Sequence, residues 1–239
     1  MNKSKIEWCD YTWNPVTGCL HECEYCYARK IANRFQSKNN YTYVDGVKPG
    51  HIKDAFPYGF MPTFHKDRLL DPQKVRKPQN IFVCSMADLF GEWVPDEWIQ
   101  EVFKACEAAP QHKYLFLTKN FKNASNFRYH DNWWIGKTIT NDENARLCEG
   151  DPWNIDEIHR ANQFLSIEPL QGDITRLEYY LYSFKWVIVG AQTGPGAKPP
   201  KLEWVKKIID QCRDAGVPVF LKNNLKWPEK IQEWPEELS

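Results

Sequence analysis

From Asn80 to Leu221 the chain alternates short apolar runs with amphipathic helical patterns, and this order constrains the fold more than any other feature. Ile81-Phe82-Val83-Cys84, Tyr114-Leu115-Phe116-Leu117 and the runs 133–139, 163–167 and 186–190 have the length of buried strands, each bounded by polar or glycine-rich turns. The spacing predicts a helix over 96–109, where Trp98, Val102, Phe103, Cys106 and Ala109 share one side between Pro95 and Pro110. A second helix is predicted where Leu202, Val205, Ile208, Ile209, Cys212 and Ala215 recur at i, i+3 and i+4; Gly216 stops it and a strand over 217–221 follows. Strands separated by crossover helices pair in parallel, so the expectation is an α/β fold, and about seven strands suggest a partial or near-closed (β/α) barrel. The 239 residues fit one such domain over 1–239, with a peripheral tail over 225–239 that contains Pro228 and Pro235.

The N-terminal part breaks this rhythm. Residues 6–8 and 12–18 read as an extended approach to Gly18-Cys19-Leu20-His21-Glu22-Cys23-Glu24-Tyr25-Cys26-Tyr27-Ala28, a C-x3-C-x2-C loop with an aromatic just before its third cysteine. Three thiolates on so short a loop can hold three corners of a [4Fe-4S] cubane and leave the fourth iron without a protein ligand. A structural zinc site wants four ligands, which His21 or Cys9 can complete on paper, so ligand count alone leaves a cluster, a zinc knot and free thiols open. A helix is predicted over 27–35, with Ala28, Ile31, Ala32 and Phe35 at helical spacing and its positive dipole end against the thiolates.

Cys9, Cys84, Cys106, Cys148 and Cys212 stand at no metal-binding spacing, and Cys106 and Cys212 read as small buried hydrophobes. Residues 1–7 lack an apolar leader and no apolar run approaches the ~20 residues of a membrane helix, so a cytoplasmic protein with no membrane partner is expected. In such a reducing compartment eight cysteines mean thiols or metal ligands rather than disulfides. Lys plus Arg and Asp plus Glu are both 31, so net charge gives no support to a nucleic-acid partner.

Residues 37–79, broken by prolines and glycines, read as a long irregular insertion after the first helix, of the kind that forms a lid or docking surface. Within it, 62–69 reads as a solvated surface helix, with substrate contact the alternative. In a barrel the functional groups gather at the C-terminal strand ends. Those ends carry Cys19, Cys23 and Cys26, then Ser85 and Asp88, then Thr118 and Lys119, then Thr138, Thr140 and Asn141, then Glu168. Gln192 with Gly194 and Gly196 follows the next strand, and Lys222 with Asn223 the last.

The cysteine loop, with Tyr25 as its aromatic, resembles the signature of the radical S-adenosylmethionine (SAM) enzymes. Thr12-Trp13-Asn14-Pro15-Val16-Thr17-Gly18-Cys19, Ile81-Phe82-Val83-Cys84-Ser85-Met86-Ala87-Asp88-Leu89-Phe90, Phe164-Leu165-Ser166-Ile167-Glu168-Pro169-Leu170 and Trp186-Val187-Ile188-Val189-Gly190 are similar to stretches of the phage-associated three-Cys-motif family, radical-SAM-like proteins of bacteriophages and bacteria. Two departures stand out. That family typically has a longer first cysteine spacing, and it shows Gly-Gly-Glu-Ser-Gly-Pro-Gly where this chain has Gly190-Ala191-Gln192-Thr193-Gly194-Pro195-Gly196, so a charge is lost at Gln192.

The resemblance implies a [4Fe-4S] cluster on Cys19, Cys23 and Cys26, with SAM filling the open iron. An external one-electron reductant would drive cleavage to methionine and a 5′-deoxyadenosyl radical, which takes hydrogen from a substrate, a nucleic acid base or nucleotide being one class. It further implies that Tyr25 packs near the adenine, that Asp88 meets the methionyl ammonium, and that Ser85, Thr138, Thr140, Asn141, Ser166, Glu168, Gly190, Gln192 and Gly194 line the cofactor. Glu168, Lys222 and Lys119 are the catalytic candidates. The alternative is a non-catalytic iron-sulfur or zinc module that engages a phage or bacterial partner.

Overall fold

The computed structural model describes residues 1–146 and 161–239. Cys148 lies outside the described residues. The chain divides into two compact units, Met1–Asn123 and Ala124–Ser239.

In the first unit, β1 (Asn2–Lys3) pairs antiparallel with β2 (Tyr11–Trp13). The two-residue strand β3 (Val16–Thr17) precedes α1 (Tyr27–Phe35), whose limits are those predicted. Small Ala28 and Ala32 form its inner face, which allows close packing on Phe56, Phe60 and Met86. Two of those three partners come from the 37–79 insertion, which therefore walls the helix.

The insertion also holds β4 (Thr63–Phe64), paired antiparallel with β3 so that Val16 faces Phe64 and Thr17 faces Thr63. This overturns the surface helix expected over 62–69. Thr63, Phe64 and His65 are buried, and only Lys66–Arg68 turn, as 3-10 helix. Long-range bonds decide it: Trp13 Nε1 donates to Arg68 O at 2.8 Å and the Arg68 guanidinium donates to Asn14 O at 2.8 Å. Such tertiary partners outweigh a weak local propensity.

Beyond the insertion, β5 (Asn80–Val83) lies parallel to β2 on one side and to β6 (Lys113–Thr118) on the other. The crossover is α2 (Asp96–Glu107), started by Pro95 with Asp96 and Glu97 in the first turn, where acidic groups favour the dipole. It buries Trp98, Ile99, Val102, Phe103, Ala105 and Cys106. Each large apolar side chain so buried contributes roughly 1.5–3 kcal/mol. The one-turn helix α3 (Phe121–Ala124) follows.

The second unit is built on four parallel strands, β7 (Trp133–Ile139), β8 (Asn162–Ile167), β9 (Trp186–Val189) and β10 (Val219–Leu221), paired in that order. Short helices α4 (Asp142–Arg146) and α5 (Glu178–Leu181) precede α6 (Leu202–Asp214). Strand alternation sends Leu165, Ile167, Val187, Val189, Val219 and Leu221 to one face, where Val205, Ile208, Ile209 and Cys212 of α6 cover them. Phe164, Ser166, Trp186, Ile188 and Phe220 therefore take the other face.

The tail is more than peripheral. Leu221 N–H donates to Ile231 O, Glu233 N–H donates to Val219 O, and Trp234 lies 5.1 Å from Trp186, so the last segment caps the edge of β10. Both units are mixed α/β; the first combines two parallel pairings with two antiparallel ones, the second is parallel throughout, and among the described residues neither four-strand set closes on itself.

Candidate functional site

The cysteine loop belongs to the first unit, and its path begins at Gly18. The Gly18 N–H donates to Met86 O at 2.9 Å, which ties the loop to the segment after β5. Gly18 has φ +88, and a Cβ there would stand 2.2 Å from the Met61 carbonyl oxygen, so only glycine lets the chain pass. Cys19 N–H donates to Phe60 O at 3.2 Å, Glu22 takes a left-handed φ of 55, and Cys26 N–H donates to Cys23 O at 3.1 Å. Cys26 then caps α1, its Sγ accepting from Arg29 N–H at 3.3 Å. A sulfur here faces the positive end of the helix dipole.

Cys19, Cys23 and Cys26 are free thiols, each partly exposed. Burial pushes the Cys19 thiol up to about 11, opposed by the backbone hydrogen bond from His21, while Asp88, Cys26 and Cys23 raise it further. The thiol is thus protonated near neutrality, and a metal must displace that proton to bind. Among the described residues, no group of three or more His, Cys, Asp or Glu side chains is arranged to hold a metal ion.

Asp88 is the hub beneath this loop. Its Oδ1 accepts from Phe90 N–H at 3.1 Å and from Thr118 Oγ1 at 2.6 Å. Its Oδ2 accepts from Lys119 N–H at 2.9 Å and pairs with His21 Nε2 at 2.8 Å. Protein groups therefore occupy both carboxylate oxygens, where the resemblance led us to expect a ligand ammonium. His21, held also edge-on to Trp93 at 4.8 Å, is the loop residue that Asp88 fixes.

Lys119 presents its ammonium 5.4 Å from the Tyr25 ring centroid. Burial raises the Tyr25 phenol, the Lys119 charge and hydrogen bond lower it, and Cys23 raises it again, so Lys119, Tyr25 and Cys23 form one cluster. Ser85 Oγ donates to Asn14 Oδ1 at 3.2 Å, and the same oxygen accepts from Met86 N–H at 2.9 Å. Asn14 was missed from the sequence, although Asn14-Pro15 is a turn signal.

The remaining cysteines have other surroundings. Cys9 Sγ contacts Ser4 Oγ at 3.1 Å. Cys84, Cys106 and Cys212 are buried, and burial raises all three thiols, Cys84 and Cys212 to about 12. Cys106 and Cys212 are the small core residues expected.

The second unit holds the other set. Thr140 Oγ1 bonds to Asn144 Oδ1, and Asn141 Oδ1 accepts from Asn144 N–H at 2.9 Å, so both residues secure the start of α4. Thr138 stands opposite Ser166, whose hydroxyl is buried with no hydrogen-bond partner. Two residues on, Glu168 Oε1 accepts from Lys222 Nζ in a half-buried ion pair. A Cβ at Gly190 would lie 2.8 Å from the Glu168 carboxyl carbon, so glycine makes room for that carboxylate. Gln192 is half-buried, while Gly194 and Gly196 form an exposed turn with φ of 101 and 77. Asn224, not Asn223, fixes the end of β9: its side chain bonds Ala191 N–H at 3.1 Å and Ala191 O at 2.9 Å.

Fold and site together define an α/β protein whose three-cysteine loop runs directly into a helix. A family model described as "Protein of unknown function (DUF5131)" matches residues 3–235, and the chain belongs to that family. Searches of curated proteins and of solved structures gave no match.

Proposed function

We propose that this chain is a radical SAM enzyme, with Cys19, Cys23 and Cys26 holding a [4Fe-4S] cluster; the partial (β/α) barrel is part of the same proposal. The observation that carries the reading is the loop itself: three unpaired thiols, one of which feels the charge of the other two and one of which caps α1. In number and chemistry the three sulfurs match a centre with three thiolates and one open metal position, although they are not grouped around a metal position among the described residues. When bound, the cluster and SAM together supply one-electron reductive cleavage to methionine and a 5′-deoxyadenosyl radical, at the expense of an external reductant.

The chain's own residues have separate tasks. The Cys26 sulfur is offset by the α1 N-terminus and the Arg29 N–H, and the Lys119 ammonium beside Tyr25 and Cys23 supplies positive charge against thiolates. Asp88 acts through His21, Thr118 and Lys119 as a positioning residue. In the second unit, the Ser166 hydroxyl is buried without a hydrogen-bond partner and Glu168 pairs with Lys222, a separate set of polar groups at the strand ends of that unit.

A second reading is favoured by one contact, His21 Nε2 on Asp88 Oδ2, because a carboxylate orienting an imidazole is common behind zinc ligands. In that reading the loop with His21 is a structural zinc module. Anaerobic reconstitution separates the two. The enzyme reading expects about four iron and four sulfide per chain, lost in Cys19→Ala, Cys23→Ala or Cys26→Ala and kept in Cys106→Ala. With dithionite, 5′-deoxyadenosine and methionine should appear from SAM. Stoichiometric zinc with no uptake of iron would refute the enzyme and leave the module.

A further inference from the structure

We infer that the outer face of α1 is the docking surface for an acidic protein that delivers the electron, an inference that rests on the enzyme reading above. The inner face of this helix is small and buried, but Tyr27, Ile31 and Phe35 are 45%, 39% and 59% exposed. At spacing i, i+4 and i+8 they stand one above another as a single apolar stripe. Large exposed apolar side chains in register mark an interaction surface more than a solvated face does.

The charge beside the stripe identifies the partner. Lys30 and Arg34 stand beside the stripe on a helix, Tyr27–Phe35, that contains no acid, while Arg29 packs on the Phe60 ring 5.4 Å away and exposed Lys38 lies on the chain just past the helix. Glu22 and Glu24 lie on the cysteine loop before the helix, so the positive charge is confined to α1 and its C-terminal side. An apolar stripe beside cations complements a partner whose apolar patch is edged by carboxylates. A second copy of this chain is disfavoured, because a two-fold contact on this face would bring the same cations together. Single-stranded nucleic acid is disfavoured too, since aliphatic Ile31 at the middle of the stripe offers no stacking face.

Position links the surface to the chemistry. Cys26 caps the helix, and at 1.5 Å per residue the stripe ends roughly 14 Å along the axis from that cysteine. A protein seated on α1 therefore sits beside the cysteine loop.

The test compares two reductants on the iron-loaded protein. Dithionite is small and needs no docking; photoreduced flavodoxin, an acidic FMN protein, does. Lys30→Glu/Arg34→Glu and Phe35→Ala are the variants, all at exposed positions outside the cysteine loop. We expect unchanged iron content and dithionite reduction, with the rate of reduction by flavodoxin falling about tenfold or more in both variants. For the wild type, the flavodoxin rate should fall as salt rises and screens the contact. Wild-type rates with flavodoxin in both variants would overturn the docking surface. So would variants that lose binding to a single-stranded oligonucleotide or to anionic vesicles while flavodoxin reduction is kept. If the wild type takes up no iron, or its iron is not reduced by dithionite, the enzyme reading fails first and the docking inference falls with it.

Discussion

Replacing Asp88 by Asn tests whether this carboxylate is scaffold or ligand contact. Four donors converge on it: Phe90 N–H and Thr118 Oγ1 on one oxygen, Lys119 N–H and His21 Nε2 on the other. An amide can accept on one side only. With its NH2 toward Lys119 the His21 tautomer can switch, yet the Lys119 N–H then faces a donor. With its NH2 toward Thr118 the hydroxyl can rotate, yet the Phe90 N–H then loses its acceptor. Either orientation strands one backbone donor beside a buried side chain, at a cost of about 1–3 kcal/mol, and weakens the charge-assisted bonds that remain. The sum is roughly 2–4 kcal/mol, a large part of the usual 5–15 kcal/mol of a folded domain. Urea denaturation of the metal-free chain should show the midpoint falling at constant slope. A loss below about 0.5 kcal/mol would refute the scaffold argument and return Asp88 to the ligand.

Two further outcomes follow from buried groups. His65, fully buried with Nε2 on Thr17 Oγ1 at 2.8 Å, is pushed by burial, Arg68 and Lys48 from 6.5 down to about 2. Its folded pKa lies below its unfolded one, so the unfolded chain binds the extra proton; the contribution is complete above 6.5 and is lost as pH falls through 6.5 toward 2. The limiting slope is about 1.4 kcal/mol per pH unit, and denaturation of His65→Gln between pH 7 and 5, read against wild type, should lack that slope. Gly190→Ala should displace Glu168 from Lys222, costing about 1–3 kcal/mol by the same urea assay; equal stability would show that the carboxylate swings aside freely.

Local pattern determined a good deal of this protein by itself. The helix over Tyr27–Phe35 and the strand over Trp133–Ile139 have the limits that periodicity gave, because each boundary is set within a few residues by a capping group or a break in the apolar run. The three cysteines and the burial of Cys106 and Cys212 were legible for the same reason: spacing and hydrophobicity are local properties. Tertiary structure decided the rest. Nothing near Thr63 or Phe64 in sequence announces pairing with Val16 and Thr17, and the 62–69 segment became strand because distant partners bury it. Asp88 was legible as a carboxylate at a strand end, whereas the partners that folding brings to it, at positions 21, 90, 118 and 119, were not. Glu168 and Lys222 were both named, while their pairing, and the glycine that makes room for it, depend on parallel strands brought together only by folding. Residue type sets which chemistry a side chain can perform; whether its polar atoms are free to perform it depends on which remote donors the fold has already spent on them.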